Sequence, residues 1–145
     1  MSNITALWGY IEIRPGQEEA ALSILGTYPF EEPWPFPNIY CYPEPGPRRR
    51  LIAFALKMNH LSEDWLDWRG RFEHLLGSLP AREAEIMLDT EIPSDVLPSV
   101  LRVTYVPKLP DDPPSQEGNE WWRFSESQEY QSIPVTQKEA IVIPP

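Results

Sequence analysis

Histidine, cysteine and glycine are scarce in this chain. Two histidines and one cysteine among 145 residues supply too few nitrogen and sulfur ligands for a structural zinc site, which normally takes four. The histidines, His60 and His74, show neither HxxxH nor HExxH spacing. Cys41 has no second cysteine with which to close an internal disulfide; in its aromatic setting it reads as a small buried hydrophobe. The seven glycines form no phosphate-cradling loop, and there is no GxSxG elbow. His60 stands near Glu63 and Asp64, a grouping that a divalent ion can use, yet a histidine just ahead of a helix is more often a turn residue. These shortages predict a protein with no catalytic set, no metal and no cofactor.

Basic residues are also in short supply. Twelve Lys and Arg face twenty-two Asp and Glu, for a formal charge of -10. Such a field disfavours nonspecific contact with nucleic acid and with anionic membranes, and the complementary partner is a basic protein. No apolar run approaches the roughly 20 residues of a membrane-spanning helix. Met1 leads through Ser2 and Asn3 into a strand-like run without a basic or apolar leader. Together with the lone cysteine, this predicts a cytoplasmic protein.

Aromatics and proline, by contrast, are abundant. Six Trp, six Tyr and five Phe accompany 18 Pro, and a chain this rich in aromatics is expected to fold rather than remain disordered. Its length suits one core, so residues 1–145 are read as a single domain, with a core in 1–92 and a C-terminal extension in 93–145.

Local periodicity supplies the elements. LWGYIEI at 7–13 alternates Leu7, Gly9, Ile11 and Ile13 against Trp8, Tyr10 and Glu12, as a strand does. After Pro15-Gly16, QEEAALSILG places Ala20, Ala21, Ile24 and Leu25 on one helical face, ending near Gly26. LIAFALKM at 51–58 sets Ile52, Phe54, Leu56 and Met58 against Leu51, Ala53, Ala55 and Lys57, and Asn38 to Tyr42 can pair with it as an edge strand. Ser62 is the expected N-cap of a second helix, with a Leu61–Leu66 staple. Its core stripe is Trp65, Trp68, Phe72, Leu75, Leu76 and Leu79, opposed by Asp64, Asp67, Arg71 and Glu73. AEIMLDT at 84–90 turns Ala84, Ile86, Leu88 and Thr90 inward, and VLRVTYV at 100–106 is a fifth strand. EWWRF and AIVI in the tail are candidates to extend a sheet edge. The order predicts an α+β, ferredoxin-like (βαββαβ) antiparallel sheet with two helices on one face, a long Pro/aromatic-rich loop and a C-terminal β extension.

The loop at 28–50 holds six aromatics among seven prolines and ends in Arg48, Arg49 and Arg50. Structureless connections this long are usually functional or disordered. Two readings compete: the loop covers an open sheet face, or its aromatics stand among carboxylates as anchors for a partner. The PxxP spacing of a polyproline ligand is missing from Pro33 to Pro37, and three arginines are too few for a nucleic-acid patch. In Trp121-Trp122 a strand sends one ring to each face, so one of the two is a further anchor candidate.

The predicted partner-binding residues are accordingly Glu31, Glu32, Trp34, Phe36, Asp111, Asp112, Glu120, Trp121 and Trp122. The function expected is that of a non-catalytic acidic inhibitor which neutralises a basic protein partner, a toxin or an enzyme. In physical character alone, with no shared motif, the chain resembles bacterial immunity proteins and phage-encoded inhibitors. Two alternatives are a small-molecule-binding or enzymatic domain using Tyr10, Glu12, His60 or Asp89, and a structural or assembly subunit.

Overall fold

The computed structural model describes residues 4–29, 40–41, 51–93, 97–108, 121–128 and 135–141. In chain order these form β1 (Ile4–Ile13), α1 (Glu18–Thr27), β2 (Tyr40–Cys41), β3 (Leu51–Asn59), α2 (Leu61–Ser78), β4 (Ala81–Thr90), β5 (Val100–Pro107), β6 (Trp121–Gln128) and β7 (Val135–Ile141). The strands make one sheet in the order β2-β3-β1-β4-β5-β6-β7, and every neighbouring pair is antiparallel. The α+β class and the antiparallel sheet with two helices are as expected. The full order of elements is not the six-element βαββαβ pattern, because β5, β6 and β7 continue the same sheet outward from β4.

One face of the sheet carries the core. Leu7, Ile11 and Ile13 of β1, Ile52 and Phe54 of β3, Ala84, Ile86 and Leu88 of β4, and Leu101, Val103 and Tyr105 of β5 are buried in a single cluster with Ala21 and Leu25 of α1 and the stripe of α2. The period of two decides this, since a strand can offer only alternate residues to one face. The α2 stripe is a run of packed rings: Trp65 stacks on Trp68 at 6.1 Å, Trp68 on Phe72 at 5.5 Å, and Phe72 meets Tyr105 at 5.7 Å. All six predicted stripe residues are buried.

Gly9 shows why one inward position carries no side chain. A Cβ there would lie 2.0 Å from the Glu85 carbonyl oxygen and 2.9 Å from the tip of the Phe54 ring. Phe54 is the register partner of Gly9 on β3 and fills the space a side chain would take.

Several local expectations are corrected. On α1 the buried residues are Glu18, Ala21 and Leu25, while Ala20 is exposed; the helix is rotated so that the 18-21-25 line meets the sheet. The second helix begins at Leu61, so its N-cap is His60, which adopts a left-handed conformation at φ 59°. Ser62 is already inside the first turn. The staple does not form either: Leu61 is buried in the core and Leu66 is 62% exposed, because a residue at the first helical position cannot share a face with one five residues on. Glu73, expected on the solvent side, is buried. A sheet ending at β4 would leave that flank of α2 in water, but β5 and β6 extend beneath it.

Candidate functional site: the open face of the sheet

The strand residues that alternate with the core set form a second face, which the helices do not cover. By register, Trp8 lies opposite Ala55 of β3 and Met87 of β4, and Tyr10 lies opposite Ala53 and Glu85. Between Glu12 and Ile13 the β1–β4 register slips: Glu12 pairs with Glu83 and Ile13 with Ala81, so Arg82 is the extra residue of a bulge. The bulge brings Arg82 to within 3.8 Å of Glu12. Across β4, Glu85 opposes Thr104, Met87 opposes Arg102, and Arg102 in turn opposes Glu126 of β6.

Four carboxylates, those of Glu12, Glu83, Glu85 and Glu126, and two arginines therefore surround Trp8, Tyr10 and Met87. Trp8 is 41% exposed; on β3, Ala55 opposite it and Ala53 diagonal to it are exposed and too short to cover it, and Lys57 is its other diagonal neighbour. The Tyr10 hydroxyl donates to Glu83 Oε1 at 3.2 Å. Burial, then the charges of Glu83 and Glu85, push the Tyr10 phenol up to about 12, so at neutral pH it remains a neutral donor. Arg102 Nη2 donates to Glu85 Oε2 at 3.1 Å. That hydrogen bond, followed by the Glu85 charge, holds the guanidinium above its ordinary pKa. An ion pair this exposed adds little stability; what it shows is that a guanidinium fits against Glu85.

A second polar assembly lies on the core side. Arg123 of β6 donates from Nη1 to both Glu73 oxygens at 2.9 Å, and Tyr105 donates to Glu73 Oε2 at 3.3 Å. Arg69 is one helical turn away, at 4.0 Å. Burial pushes the Glu73 carboxyl up, against the opposing pull of Arg123 and then Arg69, and the enclosed Tyr105 phenol is raised well above its usual value. The assembly joins α2 to β5 and β6 and is enclosed; it holds the fold rather than facing a ligand.

The structure separates the predicted residues. Glu31, Glu32, Trp34, Phe36, Asp111, Asp112 and Glu120 lie outside the described residues, as do Arg48, Arg49 and Arg50 and almost all of the proline-rich loop. Trp121 is 4% exposed and belongs to the core, which corrects its place among the partner-binding residues. Alternation sends Trp122 to the other face, where it is half-buried with the Lys108 ammonium 4.3 Å from its ring centroid. Of the enzyme-type set, Tyr10 and Glu12 share the open face, while Asp89 is near its opposite end, beside Ala6. His60 follows Asn59, the partner of Ile4, and so lies at the far end of the strands from Glu12. Among the described residues no group of three His, Cys, Asp or Glu is placed to hold a metal ion, and no helix is long and apolar enough to cross a membrane.

Trp8, Glu83, Glu85 and Arg102 were missed by sequence reasoning. The alternation already turned Trp8 and Glu85 away from the core set; register, which alternation does not encode, is what places Tyr10 beside Glu85 and Trp8 beside Met87. No protein-family model matches the chain, and neither a curated protein nor a solved structure matches it.

Proposed function

We propose that this protein is a non-catalytic inhibitor that binds and neutralises a basic protein, in its most specific form an immunity protein against a toxin or a phage-type inhibitor of a host enzyme, acting in the cytoplasm. The observation that carries the reading is the open sheet face, where an exposed Trp8 shares the surface with Glu85 beside it and the Glu12–Glu83 pair farther along the strands, on a chain of charge -10. A large aromatic left in water on a strongly acidic chain has the makeup of an interface anchor with a steering rim. In the same reading, β1 to β4 with α1 and α2 are a ferredoxin-like unit, supported by the strand order β2-β3-β1-β4, and β5 to β7 widen its open face. Fold alone does not select a function, so the charge and the aromatic carry the proposal.

The test is capture of a partner at low salt on the immobilised protein, with a Glu83→Lys/Glu85→Lys variant of unchanged melting temperature as control. The expected result is a basic protein retained by the wild type and released by the variant, whose own activity is abolished by one equivalent of this protein. Retention of nothing basic, or a captured protein whose activity is unaffected, overturns the reading.

A further inference from the structure

The part of the open face formed by β3, β1 and β4 combines three features. An indole is exposed at Trp8; the floor beside it is short, at Ala53 and Ala55; and the carboxylates of Glu83 and Glu85 stand on the adjoining strand. Glu85 is diagonal to Trp8 across the β1–β4 pair, since Trp8 opposes Met87 and Tyr10 opposes Glu85; diagonal neighbours of this kind lie about 7 to 8 Å apart, within reach of one long side chain. The chain itself shows what these acids accept, because Arg102 reaches Glu85 from the β5 side with a charge-assisted hydrogen bond. Tyr10 bonds Glu83 and holds that carboxylate in place. Among the described residues the cation on β3 is Lys57, opposite Ala6 and thus diagonal to Trp8 on the side away from Glu85.

Resting on the basic-partner reading above, we propose that this surface recognises arginine: a guanidinium from the partner protein lies on the Trp8 indole and donates to Glu85, approaching from the β3 side opposite Arg102, with Glu83 farther along β4 adding to the acidic field. A planar guanidinium stacks on an indole and forks onto carboxylates at once, whereas a lysine ammonium is a compact, strongly hydrated point charge that gains less from either. The surface is therefore selective between two side chains of equal charge.

The experiment uses length-matched oligo-arginine and oligo-lysine peptides as probes, titrated calorimetrically into the full chain at low and moderate salt. The expected result is a preference for oligo-arginine of about threefold to fivefold per engaged indole. Trp8→Ala should remove that preference while leaving the melting temperature unchanged, because Trp8 is outside the core. Glu85→Gln should weaken both peptides and the arginine peptide more, whereas Asp64→Asn, which removes one charge from the exposed start of α2, should leave the ratio intact. Equal binding of the two peptides, or a ratio that survives Trp8→Ala, overturns arginine recognition and leaves the basic-partner reading standing. Salt-insensitive binding, or none, of both peptides overturns the two together.

Discussion

Removing Arg123 and removing Glu73 should have unequal effects, although each breaks the same ion pair. Both are enclosed, at 6% and 8% exposure, so deleting one partner strands a charge on the other. Glu73→Leu leaves a guanidinium that cannot lose its proton, and a stranded buried charge costs about 3 to 5 kcal/mol. Arg123→Met leaves a carboxyl that can escape by taking a proton. From an ordinary value of 4.5, holding a proton at neutral pH costs roughly 1.4 kcal/mol for each of about 2.5 pH units, or roughly 3.5 kcal/mol. This electrostatic ceiling falls to about 0.7 kcal/mol at pH 5. The Arg123→Met loss should therefore shrink by at most about 2 to 3 kcal/mol between pH 7 and pH 5, whereas the Glu73→Leu loss should not shrink, and should grow to the extent that the raised wild-type carboxyl takes up its proton. The double variant should fall within about 1 kcal/mol of the wild type or exceed it, because apolar replacement of a buried pair is often neutral or favourable.

Burial raises the wild-type Glu73 pKa in the folded state, so its contribution to stability is complete below about pH 4.5 and declines as pH rises through the folded value. The wild type should accordingly gain on the double variant as pH falls. Urea unfolding followed by tryptophan fluorescence at pH 5 and pH 7 measures all four proteins. A pH-independent Arg123→Met loss, or additive single losses with no coupling, would refute the account of a charge pair held in a dry site.

Three further outcomes are expected. Trp68→Ala or Phe72→Ala should each cost about 3 to 5 kcal/mol in denaturant unfolding, since both rings are fully buried; losses below about 1 kcal/mol at both would show that the α2 stripe is not the core. Gly9→Ala should cost at least about 1 to 3 kcal/mol, because the clash is with the backbone carbonyl of Glu85 as well as the Phe54 ring, and trimming Phe54 to Leu should relieve only the ring's share. His60→Gly should raise the melting temperature slightly, corresponding to a gain of up to about 1 kcal/mol, because the left-handed backbone costs a non-glycine residue about 1 to 2 kcal/mol and glycine's freer unfolded chain returns part of it; a loss of stability would mean that the His60 side chain holds the helix start.

Features that depend on neighbouring residues along the chain were legible without a structure. The inward set of β4, from Ala84 to Thr90, and the α2 stripe from Trp65 to Leu79 follow from periods of 2.0 and 3.6, which the backbone imposes wherever one face is buried. The pairing of the strand around Tyr40 with β3 at the sheet edge was legible for a similar reason, proline being excluded from central ladders. What depends on elements distant in sequence was not. Glu73 reads as a surface acid until β5 and β6 pass beneath α2 and bring Tyr105 and Arg123 to it. Glu18 takes the buried position assigned to Ala20 because the rotation of α1 is set by the sheet it meets. The open face itself is a tertiary fact: alternation divides Trp8, Tyr10 and Glu85 from the core residues, but only strand register decides that they are neighbours, and only the placement of both helices on the other side decides which set faces water.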